Sequence, residues 1–153
     1  MRDPELEDVF PGLASTAYEI TSPDDPAYNC IAWALGDVNH FWYDAGVRGY
    51  YWPPGAASAD ALPGWIEVFS LHGYELTGDS SFEPMYEKIA IYVDTGGEPT
   101  HVTRQKGFGL WTSKLGKGKD IEHPDLAALQ GREYGKVACI MKRPCRDGKR
   151  VRE

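Results

Sequence analysis

Two side chains far apart in the chain, Cys30 and His101, combine the residue types and local settings that thiol chemistry needs. Cys30 opens the apolar run Cys30-Ile31-Ala32-Trp33-Ala34-Leu35-Gly36, which reads as a helix stopped by glycine. Unsatisfied N–H groups and the positive end of the dipole at a helix start stabilise a thiolate, so a cysteine there is a candidate nucleophile as well as a packing residue. Such a nucleophile needs an imidazole beside it, to hold the proton and later deliver it to the leaving group. Among the histidines, His40 lies in an aromatic loop, His72 ends an apolar helix and His123 reads as a helix-start residue. His101 differs. It begins a strand directly after a Gly-Gly-Glu-Pro-Thr loop, where the strand holds a side chain rigid while it points into a cleft. The chemistry expected is attack of the Cys30 thiolate on an amide carbonyl with His101 shuttling the proton. The Cys30 backbone N–H, with a group from Tyr28 or Asn29, would meet the oxyanion.

These residues must be positioned by surrounding elements. Asp24-Asp25-Pro26 offers a cap with proline in the first turn, so the cysteine helix starts at Pro26 or at Cys30, and the register sets how strongly the dipole acts on the thiol. A second helix is expected over 58–72, from the stripe Leu62, Trp65, Ile66, Phe69 and Leu71 with Gly73 as its cap. Tyr74 to Thr77 begins a strand, and Lys88 to Asp94 is the clearest strand of all. His101 to Gln105 and Leu110 to Lys114 then form a hairpin across Lys106-Gly107-Phe108-Gly109. With a three-residue loop His101 faces Ser113, and with a two- or four-residue loop it faces Lys114. A lysine would lower the histidine pKa without orienting the ring, whereas a serine hydroxyl accepts a ring N–H; Ser113 is therefore the expected orienting group, with Asp120 and Glu122 as alternatives. A short helix from Asp120 or His123 through Gln130 and a strand from Lys136 to Met141 complete the order. The fold class expected is α+β in one domain over 1–153, with an irregular arm at 1–25, a frayed tail at 146–153, and a cysteine-bearing helix on a small antiparallel sheet.

Composition narrows the function classes. A hydrophobic fraction of 42% and a charged fraction of 25% are those of a globular chain. With neither a leader pattern nor a long apolar run, a cytoplasmic location with no membrane partner is expected. Cys30, Cys139 and Cys145 lack CxxC spacing, so no disulfide framework, metal site or cofactor is expected. Residues 1–100 carry 17 acidic and 3 basic side chains and residues 101–153 carry 6 and 13, an asymmetry that reads as two halves neutralising each other. No nucleic-acid partner is expected at a net charge of −7. The aromatic tract 41–52, ending in Trp52, either plugs the side of the core, walls a substrate groove, or serves as a stacking platform in a non-catalytic module that binds peptide or glycan.

The order of cysteine helix, strand, histidine strand and polar strand resembles the papain-like thiol hydrolase superfamily, in particular bacterial NlpC-type and CHAP-type amidase and peptidase domains. The resemblance rests on Tyr28-Asn29-Cys30-Ile31-Ala32-Trp33-Ala34-Leu35-Gly36, on Pro99-Thr100-His101-Val102, and on Leu110-Trp111-Thr112-Ser113-Lys114-Leu115-Gly116. The first and last segments also look like those of a group of small bacterial proteins carrying Asn-Cys-Ile-Ala-Trp-Ala and Trp-Thr-Ser-Lys-Leu-Gly. It implies a papain-like fold and a peptide, protein or other amide-containing substrate. No asparagine follows Asn39, so a papain-type third residue is missing downstream of His101.

Overall fold

The computed structural model describes residues 2–22, 41–42, 50–51, 61–106, 109–115 and 120–145. The cysteine helix, Tyr28, Asn29, Cys30, Trp52 and the tail after Cys145 lie outside the described residues.

Helix α1 (Pro4–Val9) is short and tightly started: Asp3 accepts the backbone N–H groups of Glu5 and Leu6, and Pro4 occupies the first turn, where a missing N–H costs nothing. A 3-10 turn follows over Pro11–Ser15, then β1 (Glu19–Ser22). The two-residue strands β2 (Phe41–Trp42) and β3 (Tyr50–Tyr51) pair in parallel. Helix α2 (Leu62–Leu71) occupies the segment expected from its apolar stripe, buries Trp65, Val68 and Phe69, and ends at Gly73, whose φ of +91° suits the glycine cap. Strands β4 (Glu75–Thr77), β5 (Tyr86–Val93), β6 (Pro99–Gln105), β7 (Trp111–Lys114), β8 (Asp120–His123) and β9 (Lys136–Pro144) complete the described elements, with a 3-10 turn over Leu126–Leu129.

Seven of these strands form one sheet in the order β1-β8-β7-β6-β5-β9-β4, antiparallel throughout. Lys88 to Val93 are six consecutive buried residues, so β5 is covered on both faces. Alternation and register place Tyr92, His101, Thr103, Ser113, Ile121 and His123 on one face. Phe10, Leu13 and Tyr18 of the amino-terminal arm, together with Ala128 and Leu129, close a core against Tyr92 and Ile121. The opposite face carries Ile89, Ile91 and Met141, all fully buried. Arg143, on that same face, anchors the end of α2 by donating to the His72 carbonyl and lying over the Tyr74 ring.

The expected small sheet under an amino-terminal helix is corrected by this arrangement. The sheet is the dominant element, and among the described residues only α2 exceeds two turns. Two strands account for the difference. Asp120–His123 looks like a helix start because of its acidic residues and the proline that follows, yet Ile121 alternates with polar neighbours and pairs opposite Ser113. That new edge then recruits β1 out of the arm, at Ile20↔Ile121. A strand so polar in isolation is stabilised by its neighbours more than by its own propensity.

Charge also finds its place. Lys88 is fully buried within β5, where its ammonium donates to the carbonyls of Asp79 and Ser81 at 2.8 and 2.7 Å and pairs with Glu83 at 2.6 Å. Lys142 reaches the same Glu83 at 3.6 Å, and Arg143 pairs with Glu87 at 2.6 Å. Basic side chains of the last third thus neutralise carboxylates of the first two-thirds across β5 and β9. No helix among the described residues is long and apolar enough to cross a membrane.

Candidate functional site

His101 sits in the middle of β6 with β5 and β7 on either side, and its side chain is fully buried. Its ring stacks on Tyr134, with centroids 4.2 Å apart and planes 2° from parallel, and Tyr92 closes a second side at 5.5 Å. Thr100 helps hold Tyr134 in place by donating to its carbonyl. The ring is therefore fixed in plane and tilt by flat neighbours.

One ring nitrogen, Nε2, lies 3.0 Å from Ser113 Oγ. The register that brings them together differs from the count expected for the hairpin. Gln105 pairs with Trp111 across a five-residue loop, so Thr103, not His101, stands directly opposite Ser113. The shift relative to the three-residue loop is two positions. Because side chains alternate with a period of two, Ser113 keeps its place on the histidine face and is met diagonally. Asp120 and Glu122 fall on the opposite face by the same alternation, and Glu122 pairs there with Lys106. The other ring nitrogen of His101, Nδ1, is buried and has no hydrogen-bond partner among the described residues.

Behind Ser113 the network continues. Its Oγ lies 2.8 Å from both Thr103 Oγ1 and His123 Nε2. Thr103 donates to the Thr112 carbonyl at 2.9 Å, and His123 Nδ1 lies 2.9 Å from the Asp125 carbonyl. His123 is the member that sequence reasoning missed, because Asp-Ile-Glu-His-Pro reads as a helix start. The alternation of Ile121 with its polar neighbours was the available signal.

Burial dominates the electrostatics. It holds the His101 ring well below the usual imidazole range, with the neighbouring His123 a second cause, and it pushes His123 down to about 4 against the pull of the Asp125 carbonyl and carboxylate. Both rings are neutral in the folded protein at pH 7. In the unfolded chain they take up protons near pH 6.5, so the stabilisation they allow is complete above that value and is lost as pH falls toward the folded pKa. For His123 alone the loss is about 2 kcal/mol by pH 5. The denaturant midpoint is expected to drop between pH 7 and 5, and His123→Gln is expected to flatten that dependence; equal wild-type midpoints at both values would contradict it.

The two described thiols are poor nucleophiles. Burial pushes Cys139 up to about 11, and burial with the nearby Glu87 carboxylate raises Cys145. Among the described residues, no group of three or more His, Cys, Asp or Glu side chains is placed to hold a metal ion. A surface hollow of about 320 Å³ is lined by Gln105, Trp111 and Asp125 among others, at the hairpin end of the same sheet.

No curated protein and no solved structure matches this chain. The expected membership of the papain-like superfamily, with its NlpC-type and CHAP-type domains, is corrected by the family that does match and by the seven-stranded sheet. A cysteine helix followed by a histidine hairpin is a short pattern, and different sheets can accommodate it. Residues 19–142 match the family described as Domain of unknown function (DUF7689), and this chain belongs to that family.

Proposed function

We propose that this protein is a cysteine-dependent hydrolase or acyltransferase acting on an amide bond, with Cys30 as nucleophile and His101 as its base. The observation that supports this reading is the state of His101. It is a rigidly stacked neutral imidazole with Nε2 engaged by Ser113, and its Nδ1 is buried and without a partner among the described residues. A buried polar atom left without a partner is uncommon in a purely structural histidine. It is what a base needs in order to receive a proton.

In this reading the Cys30 thiol gives its proton to His101 Nδ1 as sulfur adds to the amide carbonyl. The Cys30 N–H and a group from Tyr28 or Asn29 meet the oxyanion, and the imidazolium returns the proton to the departing amine. Water, or an acceptor amine, then takes the acyl group from the thioester and regenerates the thiol. A peptide, a protein side-chain amide or another amide-containing molecule fits the chemistry, and release of ammonia makes the same cycle a deamidation.

An electrophilic peptidyl thiol probe at pH 7 tests the assignment. Labelling is expected at Cys30 and is expected to vanish in Cys30→Ala, since Cys139 and Cys145 have raised pKa values. Labelling that survives Cys30→Ala sinks the proposal. The full burial of His101 favours a second reading, in which the histidine network is structural and the aromatic tract 41–52 binds peptide or glycan. A Cys30 as slow as a free, unperturbed thiol supports that reading instead.

A further inference from the structure

The protons of the buried network can be counted one by one, starting from groups with no freedom. The Asp125 carbonyl can only accept, so the His123 nitrogen 2.9 Å from it, Nδ1, carries a hydrogen. His123 is neutral, and its Nε2 is therefore a bare acceptor. Two hydroxyls approach it, Ser113 Oγ at 2.8 Å and Thr103 Oγ1 at 3.3 Å. Thr103 has one hydrogen and donates it to the Thr112 carbonyl at 2.9 Å, which leaves the serine as the donor to His123. Thr103 Oγ1, 2.8 Å from Ser113 Oγ, shares that hydrogen in a three-centre contact. Either way the single Ser113 hydrogen points away from His101. The 3.0 Å contact between Ser113 Oγ and His101 Nε2 must then use a hydrogen on His101 itself.

From this count we infer that His123 is a positioning residue: by taking the Ser113 proton, it forces His101 into the tautomer with hydrogen on Nε2 and a lone pair on Nδ1. The opposite tautomer would bury an N–H at Nδ1 with no acceptor among the described residues. The chain runs from the Asp125 carbonyl through His123 and Ser113 to His101; the contacts among the three side chains are buried, the Asp125 contact is part-buried, and the Ser113 hydrogen is shared between His123 Nε2 and Thr103 Oγ1. The inference rests on the thiol-hydrolase reading only for its functional meaning, since a base must present a lone pair to the thiol; the tautomer itself is independent of any activity.

The test is the ¹⁵N spectrum of the histidine rings in uniformly labelled full-length protein at pH 7, because protonated and bare ring nitrogens have well-separated shifts. Wild type is expected to show His101 protonated at Nε2 and bare at Nδ1. His123→Leu removes the nitrogen acceptor and leaves the Ser113 hydrogen only the Thr103 hydroxyl, so that it turns more readily toward His101 and moves the His101 signals toward the opposite tautomer. His123→Gln, whose side-chain oxygen can accept in place of Nε2, is expected to restore the wild-type pattern. A wild-type His101 carrying its hydrogen on Nδ1 overturns the inference whether or not either variant folds, and so does a folded His123→Leu with unchanged His101 signals. The expected tautomer in a protein whose Cys30 is unreactive leaves the inference standing and rejects the hydrolase reading. A reactive Cys30 beside a His101 protonated on Nδ1 does the reverse.

Discussion

Replacing His101 by alanine is expected to slow capture of a peptidyl thiol probe by Cys30 at pH 7 by roughly 10²- to 10⁴-fold, the range typical of a positioned general base. The direction of the pH dependence sharpens the test. In the wild type the base is an imidazole held well below its usual range by burial, so it stays ready to accept a proton in mildly acidic solution. The low-pH limb of the capture rate is therefore expected below about 6.5, the ordinary histidine value. Without the imidazole the thiol must ionise unaided, and the rate is expected to climb toward the ordinary cysteine pKa of about 8.5. The experiment is a rate profile over pH for wild type and His101→Ala with the same probe. Profiles that coincide would remove His101 from the chemistry while leaving Cys30 free to react with some other base.

The largest expected loss of stability comes from Gly135→Ala. Gly135 has a φ of +79°, and a Cβ there would lie 1.8 Å from the carbonyl oxygen of Val93 and 2.7 Å from its carbon. The obstructing atoms are backbone at the end of β5, the strand paired on both sides by β6 and β9, so they cannot swing aside as a side chain can. A left-handed alanine costs about 1–2 kcal/mol, and overpacking of this kind adds about 1–3. A loss of about 3 kcal/mol or more in urea unfolding is expected. Gly97→Ala is the control: its φ is +83°, but among the described residues no atom beyond its chain neighbours lies within 4 Å of the added Cβ, so only the backbone cost applies. Equal losses at the two positions would show that the close approach to Val93 contributes nothing. The consequence reaches the site, because Tyr134, the residue before Gly135, is the ring on which His101 stacks.

Those features that repeat along the chain were legible in the sequence. The apolar stripe ending at Gly73 marks α2, and the run Ile89-Ala90-Ile91-Tyr92-Val93 marks β5, because each carries its own periodicity. The hairpin of the histidine and serine strands was legible, but its register was not: the loop counts left Ser113 and Lys114 both open opposite His101, and the five-residue loop puts Ser113 on the histidine face two positions away from the three-residue count. β1 and β8 were not. Glu19–Ser22 and Asp120–His123 hold one aliphatic residue each, Ile20 and Ile121, and become strands only when set against each other and against β7. Losing them from the sequence reading meant underestimating the sheet and assigning His123 to a helix start. The thiol of the candidate pair rests on sequence alone, since Cys30 lies outside the described residues.

The position of β9 between β5 and β4 has a consequence for how the chain reaches its fold during synthesis. The last strand among the described residues belongs to the interior of the sheet, and until residues 136–144 leave the ribosome β5 has one open edge and β4 lacks the one strand it pairs with among the described residues. An open hydrophobic edge invites pairing with other chains. β6, β7 and β8 can assemble on the other edge of β5 as they appear, and the histidine network with them. Closure of the sheet is then a late event that awaits β9, so a nascent chain stalled before Lys136 exposes an adhesive flank.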